Sequence, residues 1–220
     1  MKRILLVQPW IHDFAAYDFW IKPLGLLYLA SVLRANGFDV SLIDCLDPYH
    51  PSIASDFRVP PTRHSSERGK LPRETILKPE CLAFVPRRYS RYGITQQALR
   101  AALRTPARPD LVLVTSMMTY WYPGVWETIK VLHEELPGTP VVLGGNYVTL
   151  CPDHAKGSGA DILISGDGIL PVLKTLRQVF AVTLSFIPSS DNLDSLPYPA
   201  FDLYPIVRQV PILTSKGCPF

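Results

Sequence analysis

Five short apolar runs, the first four separated from one another by stretches of helical pattern, limit what this chain can fold into. They lie at residues 3–7, 39–44, 110–116, 140–143 and 161–164. The clearest is Asp110-Leu-Val-Leu-Val-Thr-Ser116, apolar without alternation, as a strand buried on both faces must be. Between the runs, residues 24–33 follow Pro23 and stop at Asn36-Gly37, a proline start and a glycine stop suited to a helix. Further helical patterns occupy 95–104, 123–135 and 170–180, and Val125, Ile129 and Leu132 share one face of the second.

Strands alternating with helices require right-handed crossovers and a parallel sheet covered on both sides. The expected fold is therefore α/β: a doubly wound, five-stranded parallel sheet in the flavodoxin-like order 2-1-3-4-5, Rossmann-like in the broad sense. Two segments fall outside the alternation. Residues 45–93 have no sustained period and are rich in Pro, Arg and Ser, so they read as an irregular excursion over one end of the sheet. Residues 187–205, with Leu196-Pro-Tyr-Pro-Ala-Phe-Asp202, suit an extended linker lying against a domain surface. The expected division is an α/β domain at 1–185 and, at 186–220, a linker leading to the first strand of a second unit, where Val210 to Leu213 runs apolar.

Composition excludes several classes. With 47% hydrophobic and 19% charged residues among 220, the chain has material for a real core and too little charge for disorder. No run approaches a membrane span, and Gln8-Pro9 interrupts the apolar start too early for a signal peptide, so a cytoplasmic protein is expected. A net charge of +3 gives no support for nucleic acid or an anionic membrane as partner. The basic residues gathered in the excursion, Arg58, Arg63, Arg68, Arg87, Arg88 and Arg91 among them, read either as a solvated loop or as a docking surface. Cys45, Cys81, Cys151 and Cys218 form no C-x-x-C pair and suggest neither a disulfide framework nor a zinc site.

Ligands of doubly wound sheets bind beyond the carboxyl ends of the strands. Here those ends carry neither a G-x-x-x-x-G-K-[ST] phosphate loop nor a G-x-G-x-x-G turn, and strand three ends in Thr115-Ser116 in place of a phosphoacceptor aspartate. What they do carry is Gly144-Gly145, Gly166-Asp167-Gly168, hydroxyls and many aromatics. Such walls suit a wide, flat, largely apolar ligand.

The ordered set Pro23-Leu-Gly-Leu-Leu-Tyr-Leu-Ala30, Ser116-Met-Met-Thr-Tyr-Trp121, Leu143-Gly144-Gly145 and Gly217-Cys218-Pro219 resembles the cobalamin-binding radical S-adenosylmethionine (SAM) proteins. The resemblance spans nearly the whole chain, including the Arg87 to Gly93 patch. It implies an N-terminal cobalamin domain ahead of an iron–sulfur and SAM-binding barrel that would follow residue 220. It further implies that Ser116 and Thr119 sit beside the buried nucleotide tail of cobalamin with Met117 packed near it. Gly144 and Gly145 would form the turn that admits the tail, and Gly166 and Gly168 the loop after strand five, with Asp167 where Glu is usual. Cys218 would be the first of three cysteines of a C-x-x-x-C-x-x-C loop. The other two are missing, so this chain by itself is expected to hold no [4Fe–4S] cluster, to cleave no SAM and to contain no catalytic residue.

Many cobalamin domains present a histidine to cobalt from D-x-H-x-x-G just after strand one, a motif this chain lacks. His12, beside Asp13, lies in the corresponding loop at the wrong spacing; it is expected to order the aromatic loop rather than bind cobalt, although Asp13 is placed to fix its tautomer. The leading reading is the cobalamin-binding part of a radical SAM enzyme that transfers a methyl group to, or rearranges, an unreactive carbon. A non-enzymatic cobalamin carrier or sensor is the alternative, and an unrelated small-molecule α/β enzyme a third.

Overall fold

A strand covered by helices on both sides must bury both rows of its side chains, and this chain does so with alternate residues of the same runs. The computed structural model describes residues 1–57, 62–104, 107–189 and 192–215. Its strands, in chain order, are β1 (Arg3–Gln8), β2 (Ile11–Asp13), β3 (Tyr17–Asp18), β4 (Asp39–Asp44), β5 (Gly69–Lys70), β6 (Arg73–Thr75), β7 (Ser90–Tyr92), β8 (Leu111–Val114), β9 (Val141–Gly144) and β10 (Ile162–Ile164). The helices are α1 (Leu24–Ala35), α2 (Ile53–Asp56), α3 (Gln96–Leu103), α4 (Tyr122–Glu135), α5 (Asn146–Leu150), α6 (Pro152–Ala155) and α7 (Ile169–Phe180).

The main sheet runs β10-β9-β8-β1-β4, every pair parallel, which is the expected order 2-1-3-4-5. Leu5, Val7, Val112, Val114, Val141 and Leu143 face one core with α3 and α4. Ile4, Leu6, Leu111, Leu113, Val142 and Ile164 face the other with α1 and α7. Each such side chain, fully buried, contributes about 1.5–3 kcal/mol.

The excursion is more ordered than its composition suggests. It supplies β6 and β7 to a three-stranded antiparallel sheet with β2, and β5 to a two-stranded one with β3, so the loop after β1 and the excursion fold together. Strands of two or three residues are too short to show a period of two, which is why their sequence looks irregular. Two of its arginines are not solvated: Arg63 pairs with Asp18 at 2.6 Å and Arg91 with Glu74 at 2.6 Å. Arg58 lies outside the described residues.

The segment from about 186 onward straps across α1. Ala200 N donates to Leu27 O at 3.1 Å, Ser31 Oγ to Tyr198 O at 2.6 Å, and Asn36 exchanges two hydrogen bonds with Phe186. This agrees with an extended linker lying on a domain surface. Of the expected terminal strand, residues 210–215 are in no ladder and Val210 and Ile212 stand exposed, while residues 216–220 lie outside the described residues. A strand needs a partner edge, and none is offered to it among the described residues. Among those residues, too, no helix is long and apolar enough to cross a membrane.

Candidate functional site

Where the carboxyl ends of β1, β8, β9 and β10 come together, a cavity of about 500 Å³ opens between the sheet and the helices α1 and α7. That size lies within the roughly 300–1,000 Å³ of ordinary ligand sites. Its apolar floor is Leu113, Val142 and Ile164, and Leu26, Leu29 and Val172 wall it from the two helices. Leu193, Leu196 and Leu213 of the strap close its far side.

The rim is built from strand ends. Ser116, 3% exposed, donates its hydroxyl to Gly144 O at 2.6 Å, and its own carbonyl accepts from Asn146 N at 3.0 Å, so it ties the end of β8 to that of β9. Gly145 has φ +97°, and a Cβ there would fall 2.3 Å from Ser116 O and 2.8 Å from Ser116 N. Glycine is therefore demanded by the β8–β9 junction itself. Other glycines are not explained by the protein's own packing. Among the described residues, a Cβ at Gly25, Gly166 or Gly168 would meet nothing within 4 Å, and one at Gly144 meets only Ile164, at 3.5 Å. All of them line the cavity. Gly166 has φ +85°, which accounts for its identity, but Gly25 in the first turn of α1 and Gly168 have no such reason.

Of the residues expected at this site, Ser116, Met117, Gly144, Gly145, Gly166 and Gly168 all line the cavity. Thr119 does not. After β8 the chain turns into a short 3-10 segment, Thr119–Trp121, leading to α4 on the opposite core, and Thr115 occupies the rim instead. Gln8, Lys22, Gly25 and Asn146 are lining residues that sequence reasoning did not single out. The signal for Gly25 was present: a glycine inside an otherwise strong helix pattern is costly unless something requires the space.

His12 lies elsewhere. On β2 it is 7% exposed and pairs through Nε2 with Glu127 Oε2 of α4 at 2.8 Å, while Arg91 holds the other Glu127 oxygen. Burial pushes the Glu127 carboxyl up, but His12 and Arg91 together outweigh it and hold it below its ordinary value. Asp13 does not fix the His12 tautomer as expected: its carboxylate accepts from Trp121 Nε1 at 2.8 Å and from Phe14 N at 2.6 Å. The imidazole thus orders the joint between the small sheet and α4. No described histidine lines the cavity.

At the end of the edge strand β4, Asp44 accepts from Tyr204 Oη at 2.6 Å and from Leu46 N at 2.8 Å. Burial nevertheless raises its pKa to about 7. Among the described residues no three His, Cys, Asp or Glu side chains converge as a metal site, and Cys218 lies outside them.

Fold and cavity together define a doubly wound α/β domain with a mostly apolar cavity at its carboxyl edge, on the side of α1 and α7. Among protein families, the B12 binding domain matches residues 89–174, a span that holds Ser116, Gly144, Gly145, Gly166 and Gly168 but not the α1 wall. This match supports cobalamin as the ligand. Among solved structures, the monomethylamine corrinoid protein of Methanosarcina barkeri is similar at 13% identity and a TM-score of 0.41, over 79% of this chain and 57% of that one. The chain therefore spans little more than half the length of that protein. No curated protein matches this chain.

Proposed function

We propose that this chain binds cobalamin, its cavity taking the nucleotide tail. The observation that carries the reading is the unfilled space at Gly25 and Gly168: the packing of the described residues requires no glycine there, and the missing side chains leave room for a ligand to lie against α1 and the loop after β10. The apolar floor and helix walls would hold the flat base of the tail. The open approach at Gly144 lets the ligand lie against backbone, and Ser116, its proton committed to Gly144 O, keeps lone pairs with which to accept. The strap leucines would exclude water from the far end. When bound, cobalamin supplies a cobalt centre that carries a methyl group or takes part in electron transfer.

The finer reading places the domain ahead of a radical SAM barrel, with the strap as the connection and Cys218 as the first ligand of a [4Fe–4S] cluster. Its support is the sequence resemblance at Gly217-Cys218-Pro219, together with the strap's course along α1.

The test is an absorption titration with cobalamin. Wild type should give a saturable spectral change; Gly144→Val and Gly25→Leu should weaken binding at least tenfold while circular dichroism shows the fold retained. Unchanged affinity in both folded variants would remove the tail from this cavity.

A further inference from the structure

Among the described residues, one buried polar atom on the cavity lining is left without a partner. Gln8, the last residue of β1, is 1% exposed and lines the cavity. Its Nε2 donates to Ile21 O at 2.9 Å, which fixes the orientation of the amide and leaves Oε1 facing no donor. An unpaired buried acceptor is costly, and in a ligand cavity it marks where a ligand donor belongs.

One residue beyond Ile21, Lys22 lines the same cavity and is the sole lysine or arginine on it among the described residues. Its Nζ stands 3.6 Å from the centre of the Tyr204 ring, a placement that holds the ammonium without neutralising it. The nearby Asp44 and Asp47 carboxyls act on Lys22 through space, but neither forms an ion pair with it among the described residues, and Asp44 is already engaged by Tyr204 and Leu46. The loop before α1 thus brings Gln8 Oε1, with no donor among the described residues, and Lys22, in no ion pair among them, to one end of a mostly apolar cavity whose other polar lining includes Ser116, Asn146 and Asp167.

We propose that Gln8 and Lys22 are the polar recognition pair of this site, Lys22 Nζ meeting the phosphodiester of a nucleotide-tailed corrinoid and Gln8 Oε1 accepting from an amide N–H or hydroxyl beside it. The pair selects corrinoids that carry the tail over those that lack it. The inference rests on the cobalamin reading and adds the residues that recognise the tail's charge. An ammonium and a phosphodiester brought together in a half-buried site make a charge-assisted contact, and screening by salt weakens it.

The experiment measures dissociation constants for cobalamin and for cobinamide, which has no phosphoribosyl base, at low and high salt. Wild type should prefer cobalamin. Lys22→Met should weaken cobalamin about tenfold, less so at high salt, and leave cobinamide unchanged, whereas Lys22→Arg should retain most of the preference. Gln8→Met, with the fold checked by circular dichroism, should weaken cobalamin alone. Equal affinity of wild type for the two corrinoids, or equal losses for both in the Lys22 and Gln8 variants, would overturn the pair while leaving cobalamin binding intact. Failure of wild type to bind either corrinoid would sink the cobalamin reading and this inference with it.

Discussion

Gly145 and Gly25 are kept for opposite reasons, and substitution separates them. At Gly145 a methyl group would strike the Ser116 backbone from a left-handed conformation, so Gly145→Ala should destabilise the fold by at least about 2 kcal/mol. At Gly25 a methyl group meets nothing in the protein and improves helix propensity. Gly25→Ala should therefore leave stability unchanged or raise it by up to about 1 kcal/mol while weakening cobalamin. Denaturant unfolding of the two variants checks this, and a Gly25→Ala protein that is both stable and unimpaired in binding would contradict it. Asp44 makes a prediction of a different kind. Its carboxyl titrates at about 7 in the fold against an ordinary 3.8, so the folded chain retains a proton that the unfolded chain releases. This contribution to stability is fully present below about pH 4, declines as pH rises to about 7 and is flat beyond. Wild type should lose on the order of 1 kcal/mol or more between pH 5 and pH 8 relative to Asp44→Asn. Parallel pH profiles for the two proteins would show that Asp44 does not carry the difference.

Among elements, the strap depends most on a few polar contacts. Asn36 caps α1 and at the same time holds Phe186 through two hydrogen bonds, at 2.8 and 2.9 Å, while Leu193 and Leu196 close the cavity further along. Asn36→Ala should cost about 1–2 kcal/mol and raise amide exchange in residues 186–200 without raising it in β1, β8 and β9. Uniform acceleration, or none, would mean that the strap is not a separate unit of stability. The main sheet was legible because its strands are long enough, and apolar enough, to declare themselves. Asp39 to Asp44 was read to the residue, and the helix ends at Asn36-Gly37 followed from stop signals. The small sheets of the excursion were not legible, since β5 has two residues and β6 and β7 three each, and their pairing with β2 and β3 is a tertiary fact. At the site, glycines and Ser116 could be read from strand ends. Gln8 and Lys22 could not, because their meeting at one end of the cavity, through Gln8 Nε2 and Ile21 O, exists only once the chain is folded.

For the whole molecule, the central claim is that the domain receives cobalamin with its tail drawn into the cavity beside the sheet. A tail placed there cannot also keep its base on cobalt, and no described imidazole lines the cavity to replace it, since His12 is committed to Glu127 at 2.8 Å. The most direct measurement is the electron paramagnetic resonance spectrum of protein-bound cob(II)alamin, taken for wild type and for His12→Ala. The account predicts that the nitrogen superhyperfine splitting of the free cofactor disappears on binding and that the two proteins give the same spectrum. Retention of the splitting in both would show that the base has stayed on cobalt and the tail outside the cavity; a splitting present in wild type and lost in His12→Ala would make His12 the ligand and contradict the site described here.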